Sequence, residues 1–248
     1  MPAFLQSFGQ LGVGEEIEGM NAPLRVYVIV PAYNEAGVIR HTVEQLLGAG
    51  YEVIVVDDAS TDGTAERLQG LGGVHCLRHA VNLGQGAALQ TGMAFARRLQ
   101  AGAVVHFDAD GQHDVADIPA LLAPLLADEA DLVLGSRFLQ KKSPNVPLLR
   151  RLLLKGAIWV NGLLTGLWLT DAHNGLRALN AKALACMELR ENGMAHATEI
   201  LMEIRKHGLR YREVGVHIRY SAYSKSKGQS AWNAFNILGD ILLRKLFP

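Results

Sequence analysis

The chain has 248 residues, zero formal net charge, a hydrophobic fraction of 49% and 19% charged residues, which is enough to bury a sizeable core in one large or two small domains. Zero net charge excludes a global field that would gather nucleic acid. The two cysteines, Cys76 and Cys186, stand 110 residues apart, which excludes a disulfide framework and fits reduced thiols in a cytoplasmic protein.

In chain order, residues 1–24 lack the basic start and apolar run of a secretory signal and read as a flexible leader. "RVYVIVPAY" is an apolar run for a buried strand, followed by a helix whose Val38, Ile39, Val43, Leu46 and Leu47 recur at helical spacing. "YEVIVVDDAS" is a second strand, with Ser60 or Thr61 placed to cap a helix starting near Asp62. "GVHCLRH" is a weaker third strand. "NLGQGAALQTGMAFARRLQAG" is a helix ending at Gly102; its glycines form an incomplete dinucleotide fingerprint and read as a turn leading into the helix. "AVVHFDAD" is the fourth strand, "VADIPALLAPLLADE" a helix and "ADLVLGSRF" a fifth strand. This alternation predicts an α/β fold with a mostly parallel sheet covered on both faces, whose ligands bind at the carboxyl ends of the strands.

Polar residues fall at those ends. Tyr33, Asn34 and Glu35 follow the first strand, Asp57 and Asp58 the second, Asp108 and Asp110 the fourth. In "VVHFDADGQHD", Asp108, Asp110 and Gln112 offer hard oxygen donors at alternating positions, suited to Mg²⁺ or Mn²⁺. Taken alone, the stretch reads equally as an acidic turn; the convergence of three strand ends on one crevice favours a metal. The basic residues lie elsewhere. No acid occurs from Leu132 to Thr170, against Arg137, Lys141, Lys142, Arg150, Arg151 and Lys155, so a cation site and an anion site side by side are expected.

With "VPAYNEA", "VVDDASTDGT", "DADGQHD", "GSRF" and "DAHNGLRAL" in this order, the chain resembles the family 2 inverting glycosyltransferases with the A-type (GT-A) fold, especially the dolichyl or polyprenyl phosphate mannose and glucose synthases. The resemblance covers roughly residues 25–230, which would form the catalytic domain. It implies a nucleotide-sugar donor held by Pro31, Tyr33, Glu35, Val56, Asp58, Asp108, Ala109, Asp110 and Gln112, with Asp58 accepting hydrogen bonds from base or ribose. It also implies a divalent cation on Asp108, Asp110 and Gln112. Lys227 in "YSKSKGQS", beside Lys225, matches a lysine that approaches the phosphates, and this segment could order over the donor; a solvated basic loop is the alternative.

Two acceptors stay open. A lipid phosphate needs no general base, whereas a saccharide hydroxyl does, and Asp171 matches the family region where that base stands or neighbours. Asn174 replaces a serine common in relatives, and Glu199 replaces a phosphate-proximal lysine. Arg137, Arg150, Arg151 and Arg177 are then the candidate acceptor-phosphate partners. The longest uncharged apolar stretch, Gly156 to Thr170, has 15 residues against the ~20 that span a bilayer, so no transmembrane helix is expected. Residues 148–169 and the C-terminal residues 231–248, with Trp232, Phe235, Leu242 and Leu246 beside Arg244 and Lys245, fit helices lying in a headgroup interface, or core or dimer helices of a homo-oligomer. The implied setting is the cytoplasmic membrane face, by peripheral attachment or through a membrane-protein partner. A non-catalytic nucleotide-sugar-binding subunit is the reading of another class.

Overall fold

The computed structural model describes residues 24–139, 156, 162–163, 165–171 and 174–218. Seven strands form one sheet: β1 (Val26–Ala32), β2 (Glu52–Asp57), β3 (Val74–Arg78), β4 (Ala103–His106), β5 (Leu132–Ser136), β6 (Arg177–Asn180) and β7 (Tyr211–Gly215). Their order is β3-β2-β1-β4-β6-β5-β7. All pairings are parallel except the two made by β6, which runs antiparallel to β4 and to β5.

Both faces of the sheet are apolar because the strands carry continuous β-branched runs, as a sheet covered on both sides requires. Val28, Val30, Val53, Val55 and Val105 point to one face, where α1 (Ile39–Gly48) and α3 (Ile118–Leu126) pack. Ile29, Ile54, Val56, Val104 and Leu134 point to the other, against α2 (Gln85–Arg98), α4 (Ala181–Cys186) and α5 (His196–Lys206). Leu89 and Met93 of α2 are 2% and 0% exposed, and burying each stabilises the fold by roughly 1.5–3 kcal/mol. Asn180 caps α4 by accepting a hydrogen bond from Ala183 N at 2.9 Å.

The helix expected near Asp62 is not formed; a single 3₁₀ turn spans Glu66–Leu68. Ser60, one of the two expected caps, serves the neighbouring loop instead, together with Asp62 and Thr64. Ser60 Oγ accepts from Asn34 N, Thr64 Oγ1 from Glu35 N and Asp62 Oδ2 from Ala36 N, at 2.9, 2.9 and 3.0 Å. The fourth strand also stops earlier than the sequence suggests, at His106, so that Asp108 and Asp110 lie beyond it in a turn. β6 and β7 were not foreseen as strands.

β1 is flanked by β2 on one side and β4 on the other, so the loops after β1 and β4 leave in opposite directions. That is a topological switch point, where open α/β sheets form their crevice. No helix among the described residues is long and apolar enough to cross a membrane.

Candidate active site

The first wall of the crevice is the paired ends of β1 and β2. Pro31 and Val56 are register partners and both are buried within the sheet, so they shape the wall from behind. Tyr33 is 47% exposed at the rim, and Asn34 adopts a left-handed φ of 54° that turns the chain toward Glu35. Asp58 is placed differently from the expectation. It is 3% exposed and already accepts hydrogen bonds from His79 Nδ1 (2.7 Å), Leu83 N (2.9 Å) and Gly84 N (2.7 Å). Three donors occupy most of a carboxylate's capacity, and they anchor the turn that starts α2. Gly84 takes φ 105° there, open to glycine alone at low cost. Gly86 N and Ala87 N donate to Asn192 O, so the glycines form the turn into the helix, as the sequence suggests.

The second wall is the turn after β4. Asp108, with 29% of its side chain exposed, accepts from Gln85 Nε2 at 2.8 Å and lies 3.1 Å from His113 Nε2. The backbone of Gly175 approaches so closely that a Cβ there would meet an Asp108 oxygen at 2.1 Å. Burial alone would raise the Asp108 pKa, but the hydrogen bond and charge of His113 and the charge of Arg177 more than offset it and hold the carboxyl below its ordinary value. Asp110 goes the other way: burial first, then the charge of Asp108, with Glu35 adding, push it up. Gln112 holds Asp110 through its backbone N (3.0 Å) and Nε2 (2.7 Å), and Thr42 Oγ1 ties α1 to the buried Ala109 O at 3.4 Å.

These residues fit a hard divalent cation. The donors are two carboxylates and one amide oxygen, and the repulsion that raises Asp110 is what a cation relieves. Among the described residues no group of three or more His, Cys, Asp and Glu side chains could hold a metal. A cation on Asp108, Asp110 and Gln112 would therefore complete its shell with water or phosphate oxygens, as Mg²⁺ does.

The third wall joins the end of β5 to the start of β6. Asp171, 3% exposed, accepts from Arg137 Nε at 2.6 Å and Arg137 N at 3.1 Å. Glu213 of β7 accepts from Thr170 N and Asp171 N at 2.9 and 3.2 Å. Arg177 is 3% exposed, with no partner for Nη1; it lies inside the protein, not on an open acceptor surface. Burial lowers it to about 10 against the charges of Asp108 and Asp171. Its neighbour across the β4–β6 pair is His106, buried with both ring nitrogens unpartnered and pulled down to about 3 by burial and the Arg177 charge. His196 is held to about 4 by the same two causes. The unpartnered buried atoms also include Asn174 Nδ2 and His113 Nδ1, so polar groups short of partners gather around Asp108. Sequence reasoning singled out neither Gln85, His106 nor His196; their signal is placement, not motif. Glu199, which replaces the relatives' lysine, accepts from Arg190 N and Glu191 N, both at 2.9 Å, and so secures that loop. Arg150, Arg151, Lys225, Lys227 and the segment 231–248 lie outside the described residues.

This mostly parallel sheet, with its switch-point crevice and acidic turn, is a GT-A glycosyltransferase fold, as its structural neighbours show. A glucosyl-3-phosphoglycerate synthase of Mycobacterium tuberculosis, solved with Mn²⁺ and UDP-glucose, has a similar structure: TM-score 0.64, 20% identity, 91% of this chain and 80% of that one covered. Residues 27–186 match Glycosyl transferase family 2, and the chain belongs to that family. It is 32% identical over 241 residues to a UDP-N-acetylglucosamine–dolichyl-phosphate N-acetylglucosaminyltransferase of Methanococcus voltae, covering 89% of this chain and 96% of that one. It is 35% identical over 173 residues to an undecaprenyl-phosphate mannosyltransferase of Micrococcus luteus, covering 67% and 70%.

Proposed function

We propose that the protein moves a sugar from a nucleoside diphosphate sugar to a polyprenyl or dolichyl phosphate, inverting the anomeric centre, at the cytoplasmic membrane face by peripheral attachment. The observation that carries this reading is the crevice itself: Tyr33, Glu35, Asp108 and Asp110 stand at the switch point of the sheet, in a chain two of whose relatives are named for a lipid-phosphate acceptor. Those relatives differ in sugar, so the acceptor class has more support than the sugar or base, and GDP-mannose, UDP-glucose and UDP-N-acetylglucosamine are all candidate donors.

In this reading Asp108, Asp110 and Gln112 hold Mg²⁺ or Mn²⁺ beside the diphosphate. When bound, the cation supplies Lewis acidity, offsetting the negative charge that grows on the leaving nucleoside diphosphate as the anomeric C–O bond breaks. The chain's own residues orient the reactants. Tyr33 presents a ring at the rim for the base, and the paired ends of β1 and β2 form the floor beneath it. The acceptor oxygen of a lipid phosphate is anionic at neutral pH and needs no proton removed. Asp171 fits that reading, since its Oδ2 accepts two hydrogen bonds from Arg137. Arg137, held in that pair, and Arg150, Arg151 and Lys227 are the proposed partners of the phosphates.

The test is transfer from each labelled donor, with Mn²⁺, to undecaprenyl or dolichyl phosphate and to an oligosaccharide, with the product anomer read by NMR. Lipid-linked product of inverted configuration supports the proposal; product on the oligosaccharide alone overturns the acceptor. Asp171→Asn separates the two further. Transfer to a lipid phosphate should survive within about tenfold, whereas loss of a general base costs ~10²- to 10⁴-fold.

A further inference from the structure

Gln85 is the first residue of α2, and its backbone is fixed on both sides. Before it, Leu83 N and Gly84 N are held by the Asp58 carboxylate at 2.9 and 2.7 Å. Asp58 is in turn held by His79, whose Nε2 lies 2.9 Å from Thr91 Oγ1 further along α2. After it, Gly86 N donates to Asn192 O at 2.8 Å. From this mount the side chain reaches to the turn after β4 and donates Nε2–H to Asp108 Oδ1 at 2.8 Å. His113 Nε2 lies 3.1 Å from the other oxygen, and the Gly175 backbone approaches the carboxylate so closely that a side chain there would collide with it. A glutamine in the first turn of a helix is ordinarily a solvated side chain; this one is half-buried and spans two walls of the crevice.

We propose that Gln85 is a positioning residue for the cation site: it aims the Asp108 carboxylate from the α2 side, and so links the nucleoside end of the crevice, through Asp58 and the 83–84 turn, to the cation end. The residue type suits the task. An amide donates one hydrogen bond without charge, so Asp108 is oriented while its negative charge stays available; a lysine in the same place would compete with the cation. Hydrogen-bond partners of metal-binding carboxylates commonly change metal affinity 10- to 100-fold when removed. This inference rests on the reading of Asp108 and Asp110 as cation ligands.

Mn²⁺ alone, titrated into the full-length protein and followed by the EPR signal of the free aqueous ion, tests it. Gln85→Leu and Gln85→Met, the second keeping the length without the donor, should each weaken Mn²⁺ binding by about tenfold or more, with a melting curve close to the wild type. A merely structural role would lower the melting temperature and leave the affinity of the folded fraction unchanged, and that result overturns the inference. So does wild-type affinity in whichever variant folds. Failure of the wild-type protein to bind Mn²⁺ would instead overturn the cation reading itself, and this inference with it.

Discussion

Asp131 and Asp108 are carboxylates at opposite ends of the same sheet, and they are treated in opposite ways. Asp131 precedes β5 at the amino end, is 0% exposed, and accepts from Arg210 N, Nε and Nη2, Lys182 Nζ and Asn180 Nδ2 at 2.9–3.3 Å. The Arg210 hydrogen bond, followed by the other donors, holds its carboxyl far below the ordinary range despite burial. At the carboxyl end, Asp108 has two side-chain donors, and Asp110 is held by Gln112 while its pKa is pushed up. The first carboxylate is saturated from within and ties chain segments together. The second pair keeps spare acceptor capacity and mutual repulsion, which only something from outside can relieve. Saturation marks the acid that serves the fold, and spare capacity is what the proposed cation site requires.

The sharpest way to break this contrast is to exchange the consequences of the two acids. Asp110→Ala should lower sugar transfer by at least about 10²-fold, a typical size for losing transition-state charge stabilisation, with a melting temperature near that of the wild type. Retained metal-dependent turnover would end the assignment. Asp131→Ala should do the reverse: a melting temperature several degrees lower, because the backbone N–H of Arg210 and the Asn180 amide lose their acceptor, with unchanged turnover per folded molecule.

Acid separates the two ends more gently. His106 and His196, beside the reaction end, have folded pKa values of about 3 and about 4, below the unfolded value of ~6.5. Between these values the unfolded chain binds more protons, so stability falls as pH drops below about 6.5, by at most about 1.4 kcal/mol per pH unit for each group. The depressed carboxyl of Asp131 keeps its contribution until pH falls below the unfolded value of ~3.9 and loses it from there downward. Urea melts in EDTA from pH 7 to 3 should therefore show two limbs, and Asp131→Asn should flatten the lower one, to which the depressed Asp108 also contributes, while leaving the upper one unchanged. The smallest effect is expected for Lys182→Ala: that nitrogen is the most exposed partner of Asp131, its side chain 62% exposed, and such a pair contributes under about 1 kcal/mol.

Legibility in the sequence follows the range of the forces involved. β1, β2, β4 and β5 announce themselves as uninterrupted apolar runs, and the polar clusters at their ends could be placed in one crevice by the parallel alternation alone. β6 could not be read, since "RALN" is four residues whose partners, Ala103–His106 and Leu132–Leu134, are 43 to 77 residues away. The missing helix after β2 shows a related limit. Ser60, Asp62 and Thr64 are residue types that cap helices, and here their oxygens find donors in residues 34–36, a choice visible only in three dimensions. For the site, the acidic turn was legible because its residue types are informative by themselves. Asp58 read as an open acceptor and is instead occupied from within, and Gln85 carried no mark at all.

The β5–β6 connection has one more property. Gly135 N donates to Leu176 O at 2.9 Å, Ser136 Oγ meets Thr170 Oγ1 at 2.7 Å, and Arg137 is joined to Asp171 at 2.6 Å. The chain thus departs and returns through a fastened neck, with 33 residues between Arg137 and Asp171. Closing such a loop costs free energy that grows only with the logarithm of its length, about 0.6 kcal/mol for each doubling. The described end of the intervening chain is anchored as well: Leu169 lies in the core, and Arg205 Nη1 donates to Thr165 O at 3.0 Å. Changes of length before residue 165 should therefore leave the register of the sheet and the acidic turn as they are, provided the anchored residues 165–171 are kept.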